Sequence, residues 1–138
     1  MEINILQKQI HKRAMEKGFY DAPHNIGMDL MLIVSELAEA LEADRNEDRC
    51  DLKAFNEALI SEQYDYATCF KKYVHNTLED EIADAFIRLL DFAECWGIDL
   101  QKHVELKMLY NEKRERLHGK KYWIIKTRTK VKKSEVKR

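Results

Sequence analysis

A single proline and four glycines in 138 residues leave this chain few places to reverse direction sharply. Sandwiches and barrels need tight corners at short intervals, built largely on those two residue types, so a β architecture is disfavoured. What remains is a set of long helices joined by a few loops, and the expected fold class is all-α. Leu, Ile, Val and Phe together number 35, above the roughly one-fifth of a chain below which disorder becomes the better reading. One packed core of ordinary domain size is therefore expected.

Periodicity places the helices. Ile3, Leu6, Ile10 and Ala14 recur at helical spacing before Gly18, predicting a first helix over 2–17. Phe19 to Asn25 holds the only proline and reads as a loop. A second helix is predicted over 28–46, with Leu30, Ile33, Val34, Leu37 and Leu41 on one face. Thr77 followed by Leu78, Glu79 and Asp80 has the hydroxyl and early acids of a helix start, and Gly97 closes that helix. Asp99 caps a last helix, expected to run to about His118. Between the second and third of these core helices, residues 47–76 carry Leu52, Phe55, Leu59, Tyr66, Phe70 and Tyr73, which predict one or two further helical pieces. The expected architecture is thus a four-helix-bundle core with a helical insertion.

Several partner classes are set aside by composition. The longest unbroken apolar run is Leu30 to Val34, too short to span a bilayer. Glu2, Asn4, Gln7 and Lys8 interrupt any secretory leader, so a cytoplasmic location is expected. Cys50, Cys69 and Cys95 have neither disulfide-framework nor zinc-knuckle spacing and are expected as free thiols. Residues 1–119 carry 15 basic and 24 acidic side chains, whereas 120–138 carry nine basic and one acidic. The basic tail, 123–138, is read as a solvated terminus, since no motif of a nucleic-acid module accompanies it.

Candidate chemistry lies in the acids. Eight acidic pairs stand at i, i+3 where chance gives roughly four, so context must separate them. Glu36/Glu39 and Glu81/Asp84 are set in apolar sequence, as is a rival pair, Asp91/Glu94. Helical projection puts Glu36 inside the apolar arc, Glu39 at its edge, and Glu81 and Asp84 beside the arc of their own helix. A buried carboxylate costs several kcal/mol unless a proton, cation or basic partner neutralises it. Two such pairs on facing helices make an all-oxygen cage suited to a hard cation such as Mg²⁺, with Mn²⁺ as a substitute. The competing reading is structural pairing with an arginine such as Arg88. On the last helix, Lys107, Asn111, Arg114 and His118 form a polar column between apolar flanks, able to hold phosphate oxygens or to make salt bridges with the acids.

These residues carry a resemblance. Ser35-Glu-Leu-Ala-Glu-Ala-Leu, Glu79-Asp-Glu-Ile-Ala-Asp, Lys107-Met-Leu-Tyr-Asn-Glu-Lys-Arg and His118-Gly-Lys-Lys-Tyr resemble the MazG-type all-α nucleoside triphosphate pyrophosphohydrolases. The likeness covers about residues 1–122, taken as the catalytic domain. It implies a helical homo-oligomer, dimer or tetramer, that uses Mg²⁺ to hydrolyse a nucleoside triphosphate to the monophosphate and pyrophosphate. Glu36, Glu39, Glu81 and Asp84 would hold the metal, and Lys107 and Asn111 would contact phosphate or sugar. Arg114 joins Lys107 as a phosphate contact, Phe19 and Tyr20 are base-stacking candidates by analogy, and Glu39 is the expected proton acceptor. One departure is the 41 residues between Glu39 and Glu81, longer than the family's usual separation. A phosphoribosyl-ATP pyrophosphohydrolase would share the cage. A reading from another class is a non-catalytic helical adaptor whose basic tail binds nucleic acid.

Overall fold

The computed structural model describes residues 2–62 and 64–115, and among them every regular element is an α-helix. In chain order these are α1 (Ile3–Glu16), α2 (Ile26–Arg45), α3 (Leu52–Ile60), α4 (Tyr66–Tyr73), α5 (Leu78–Cys95) and α6 (Leu100–Glu112). None is long and apolar enough to cross a membrane. The chain divides into two compact units, residues 1–104 and 105–138. Of the second, the described part is 105–115.

Local chemistry explains the helix ends. Asn25 accepts a hydrogen bond from Met28 N at 3.0 Å, so α2 starts at Ile26, two residues before the expected position. Asp51, Asp65 and Thr77 cap α3, α4 and α5 in the same way. Asp99 caps α6 by accepting from Lys102 N at 3.0 Å. Gly18 and Gly97 follow α1 and α5 at φ of +81° and +65°, the left-handed stop that a side chain resists. The last helix is shorter than expected. It ends at Glu112, because Lys113 N and Arg114 N turn back to Tyr110 O and Asn111 O in the tighter i to i−3 pattern. Arg114 therefore sits just past the helix. His118 and the basic tail lie outside the described residues.

In the first unit, α5 packs against both α1 and α2, while α3 and α4 pack on each other. The buried apolar set includes Ala40 and Ala43 of α2 and Ala85, Leu90 and Ala93 of α5. Alanine at a helix contact permits close approach of the two axes. Much of the α2 face expected to form the core is instead open: Val34, Leu37 and Leu41 are each about half exposed, as are Ile82 and Phe86 on α5. The 47–76 insertion is helical, as its apolar spacing predicts. Its aromatics serve its own packing, with Tyr66 edge-on to Phe55 at 5.7 Å and stacked over Phe70 at 6.3 Å. It is tied to the start of α5 by Leu78 N to Asp48 O at 3.2 Å and by Cys50 N to Glu79 Oε2 at 3.0 Å.

Leu90 is fully buried at the centre of α5. Leu90→Ala is expected to cost about 2–5 kcal/mol through lost transfer energy and a residual cavity. Urea denaturation followed by circular dichroism measures it, and a loss below about 1 kcal/mol would place the core elsewhere.

Candidate metal centre and adjoining cleft

The acids of α2 and α5 meet where the two helices pack. Glu36, Glu39 and Glu81 each offer an oxygen such that all three lie within 4.8 Å of one another. Two of the three come from one helix because i, i+3 side chains leave it in the same direction, and the third is supplied by the facing helix. Glu36 and Glu81 are buried, and Glu39 is exposed. Glu81 lies deeper than its place beside the apolar arc implied, at 5% exposure. Burial pushes its carboxyl above the ordinary glutamate value, and the charges of Glu39, Asp80, Asp84 and Glu36 push the same way. Asp84, one turn on and open at the surface, is likewise raised, first by desolvation and then by Asp80 and Glu36.

Two further residues belong to this arrangement. Arg88 Nε donates to Glu36 Oε1, joining α5 to α2 by a half-buried ion pair. The structural pairing foreseen for Arg88 is thus present, and it neutralises one acid of the set while leaving Glu81 without a basic partner among the described residues. Asp80 is the acid that sequence reasoning missed. It is buried at the first turn of α5, where it accepts from Asn76 N at 3.0 Å and faces His75 Nδ1 at 3.3 Å. Its position directly before Glu81 in a run of three acids was the available signal.

The rival pair has other work. Asp91 Oδ1 meets His11 Nδ1 at 2.7 Å, and Glu94 Oε2 accepts from Gln7 Nε2 at 2.8 Å. Both acids fasten α1 to α5, which removes them from the candidate centre.

A cleft of about 590 Å³ opens beside the acids, with Asp84 and Arg88 in its wall. Its lining is mixed. Phe19, Met28, Leu32 and Phe92 supply apolar surface, and Arg13 and Lys17 supply positive charge. Phe19 presents its ring to solvent at 71% exposure. Tyr20 also lines the cleft, but its ring stands edge-on to His11 and His24 at 4.8 and 4.9 Å. Burial and the neighbouring Asp91 hold its hydroxyl well above the usual tyrosine value, so it stays protonated.

Lys107, Asn111 and Arg114 belong to the second unit. Within it, Lys107 Nζ and the Arg114 guanidinium lie 5.2 and 5.5 Å from the centre of the Tyr110 ring, in cation–π range. The acidic cluster itself is built wholly from the first unit.

What the cluster can do follows from its donors. Three oxygens, two of them buried, with one acid lacking a basic partner, fit a hard divalent cation better than zinc or copper. Set against known proteins, the chain matches no family model, no curated protein and no solved structure.

Proposed function

We propose that this protein is a MazG-like nucleoside triphosphate pyrophosphohydrolase of the cytoplasmic nucleotide pool, with a four-helix-bundle core. The observation that carries the reading is the convergence of Glu36, Glu39 and Glu81 beside a cleft whose wall combines apolar, aromatic and cationic side chains. Glu36, Glu39, Glu81 and Asp84 would hold Mg²⁺, or Mn²⁺ in its place. When bound, such ions lower the pKa of a water and offset charge on the triphosphate.

The chain's own residues supply the rest. Glu39, the exposed member, accepts the proton of the attacking water. Arg88, held in the cleft wall by Glu36, is placed to meet a phosphate oxygen, and Arg13 and Lys17 add positive charge. Phe19 offers a free ring face for base stacking. Tyr20 shapes the pocket beside it. Lys107, Asn111 and Arg114 enter as phosphate and sugar contacts on the resemblance alone. The apolar residues left open on α2 and α5 support assembly as a homo-oligomer, dimer or tetramer.

The test is ³¹P NMR of a mixed panel of canonical and non-canonical nucleoside triphosphates incubated with the protein, with and without Mg²⁺. Monophosphate and pyrophosphate appearing only with Mg²⁺ is the expected result. Orthophosphate release, or no turnover of any nucleotide, would overturn the proposal.

A further inference from the structure

A second cluster of ligating side chains stands where the loop after α1, the first turn of α2 and the last turn of α5 come together. His24, Asp29 and Cys95 each offer one donor atom such that all three lie within 4.8 Å of one another. The atoms are ordered. His24 turns Nδ1 to Asp29 Oδ2 at 2.9 Å and Nε2 to Cys95 Sγ at 4.0 Å. Asp29 Oδ2 is itself fixed by Trp96 Nε1, which donates at 2.9 Å. Tyr20, whose ring stands edge-on to that of His24 at 4.9 Å, adjoins the cluster.

We infer that His24, Asp29 and Cys95 bind one borderline-soft divalent metal ion of the Zn²⁺ class, at a site built from none of the residues of the Mg²⁺ cluster. Three arguments support it. The donor set of thiol, imidazole and carboxylate selects Zn²⁺-like ions over Mg²⁺, which takes oxygen almost alone. Ligand edges in a tetrahedral Zn²⁺ site are about 3.3–3.8 Å by its bond lengths, so the present 4.0 Å between sulfur and Nε2 needs only slight closure. The surrounding shell is already arranged, because Trp96 Nε1 donates to Asp29 Oδ2 at 2.9 Å and so orients the carboxylate that would ligate.

The same order of atoms could be read as a thiol nucleophile, its base and an orienting acid. That reading fails on distance, since 4.0 Å between Cys95 Sγ and His24 Nε2 is well beyond the contact through which a base takes a nucleophile's proton. Asp29 serves the metal through its own oxygen. The test is aimed at His24 and Cys95.

The experiment is a Co²⁺ titration of the reduced, metal-free full chain in excess Mg²⁺, which saturates the carboxylate cluster first. A near-ultraviolet thiolate-to-cobalt charge-transfer band should grow to one equivalent and disappear on adding Zn²⁺. Cys95→Ser should abolish the band, His24→Gln should weaken Co²⁺ binding by at least about tenfold, and Cys50→Ala should leave it unchanged. No band in the wild type, or an unchanged band in Cys95→Ser, overturns the inference. Should Cys95→Ser fail to fold, alkylation of the wild type decides: Zn²⁺ must slow modification of Cys95 and not of Cys50, and equal rates with and without Zn²⁺ overturn the site.

Discussion

Glu39→Gln will lower turnover of the preferred nucleotide by about 10²–10⁴, the range set by loss of a positioned general base, while leaving the melting temperature close to wild type. The two halves of this expectation have separate causes. Glu39 is exposed and forms no salt bridge among the described residues, so its replacement removes no packing and breaks no ion pair. Its carboxylate nevertheless lies in the same small volume as those of buried Glu36 and Glu81. Glutamine keeps the shape and one oxygen but cannot take a proton at neutral pH. Steady-state kinetics with Mg²⁺, alongside a thermal melt, reads both. A variant with wild-type kcat would remove Glu39 from the chemistry, and one that unfolds would show that its role is structural.

Glu81→Gln should have the opposite signature in stability. In the wild type, Mg²⁺ at about a hundred times its dissociation constant should add about 2.7 kcal/mol, or roughly 10 °C in a domain of this size. The variant should lose that increment and yet melt higher than the metal-free wild type at neutral pH, because a buried, uncompensated charge has gone.

The pH dependence has the same origin. Glu81 and Asp84 titrate higher in the folded chain than in the unfolded one. Across the range just above ordinary carboxylate values the fold therefore binds more protons, so metal-free stability falls as pH rises through their folded pKa values. Asp65, Glu79 and Asp99, lowered by backbone hydrogen bonds, act in reverse and lose their contribution as the pH drops through their own range. Differential scanning calorimetry of metal-free protein from neutral pH to the carboxylate range should show a maximum between these effects, with Glu81→Gln raised in stability on the high-pH side and close to wild type on the acid side. A metal-free Glu81→Gln protein that melts below wild type at neutral pH would contradict the account.

Arg88 connects these results to the cleft. Its guanidinium already neutralises Glu36, so the acids are held together before any cation or nucleotide arrives. This is also why the competing structural reading and the metal reading coexist at one place: five neighbouring acids on α2 and α5 exceed the charge that one arginine can offset.

Much of the architecture was legible because helices are local objects. The spacing of Ile3, Leu6, Ile10 and Ala14, the caps Thr77 and Asp99, and the stops Gly18 and Gly97 act within a few residues of themselves, and each stands where the periodicity placed it. The pairs Glu36/Glu39 and Glu81/Asp84 were visible for the same reason, since i, i+3 geometry is a property of one helix.

What the tertiary structure alone decided is which faces meet. The apolar stripe of α2 predicted its own burial, but α2 and α5 bury alanines and acids instead, leaving Leu37 and Leu41 half open. Asp91/Glu94 stands in apolar sequence as Glu81/Asp84 does, yet α1 claims it through His11 and Gln7. The joining of His24, Asp29 and Cys95 spans 71 residues between the histidine and the thiol. Periodicity assigns a side chain to a face of its helix with an energy set by its neighbours a turn away. The rotation and approach of one helix on another depend on the whole set of side chains between them, and that sum is not contained in any local segment.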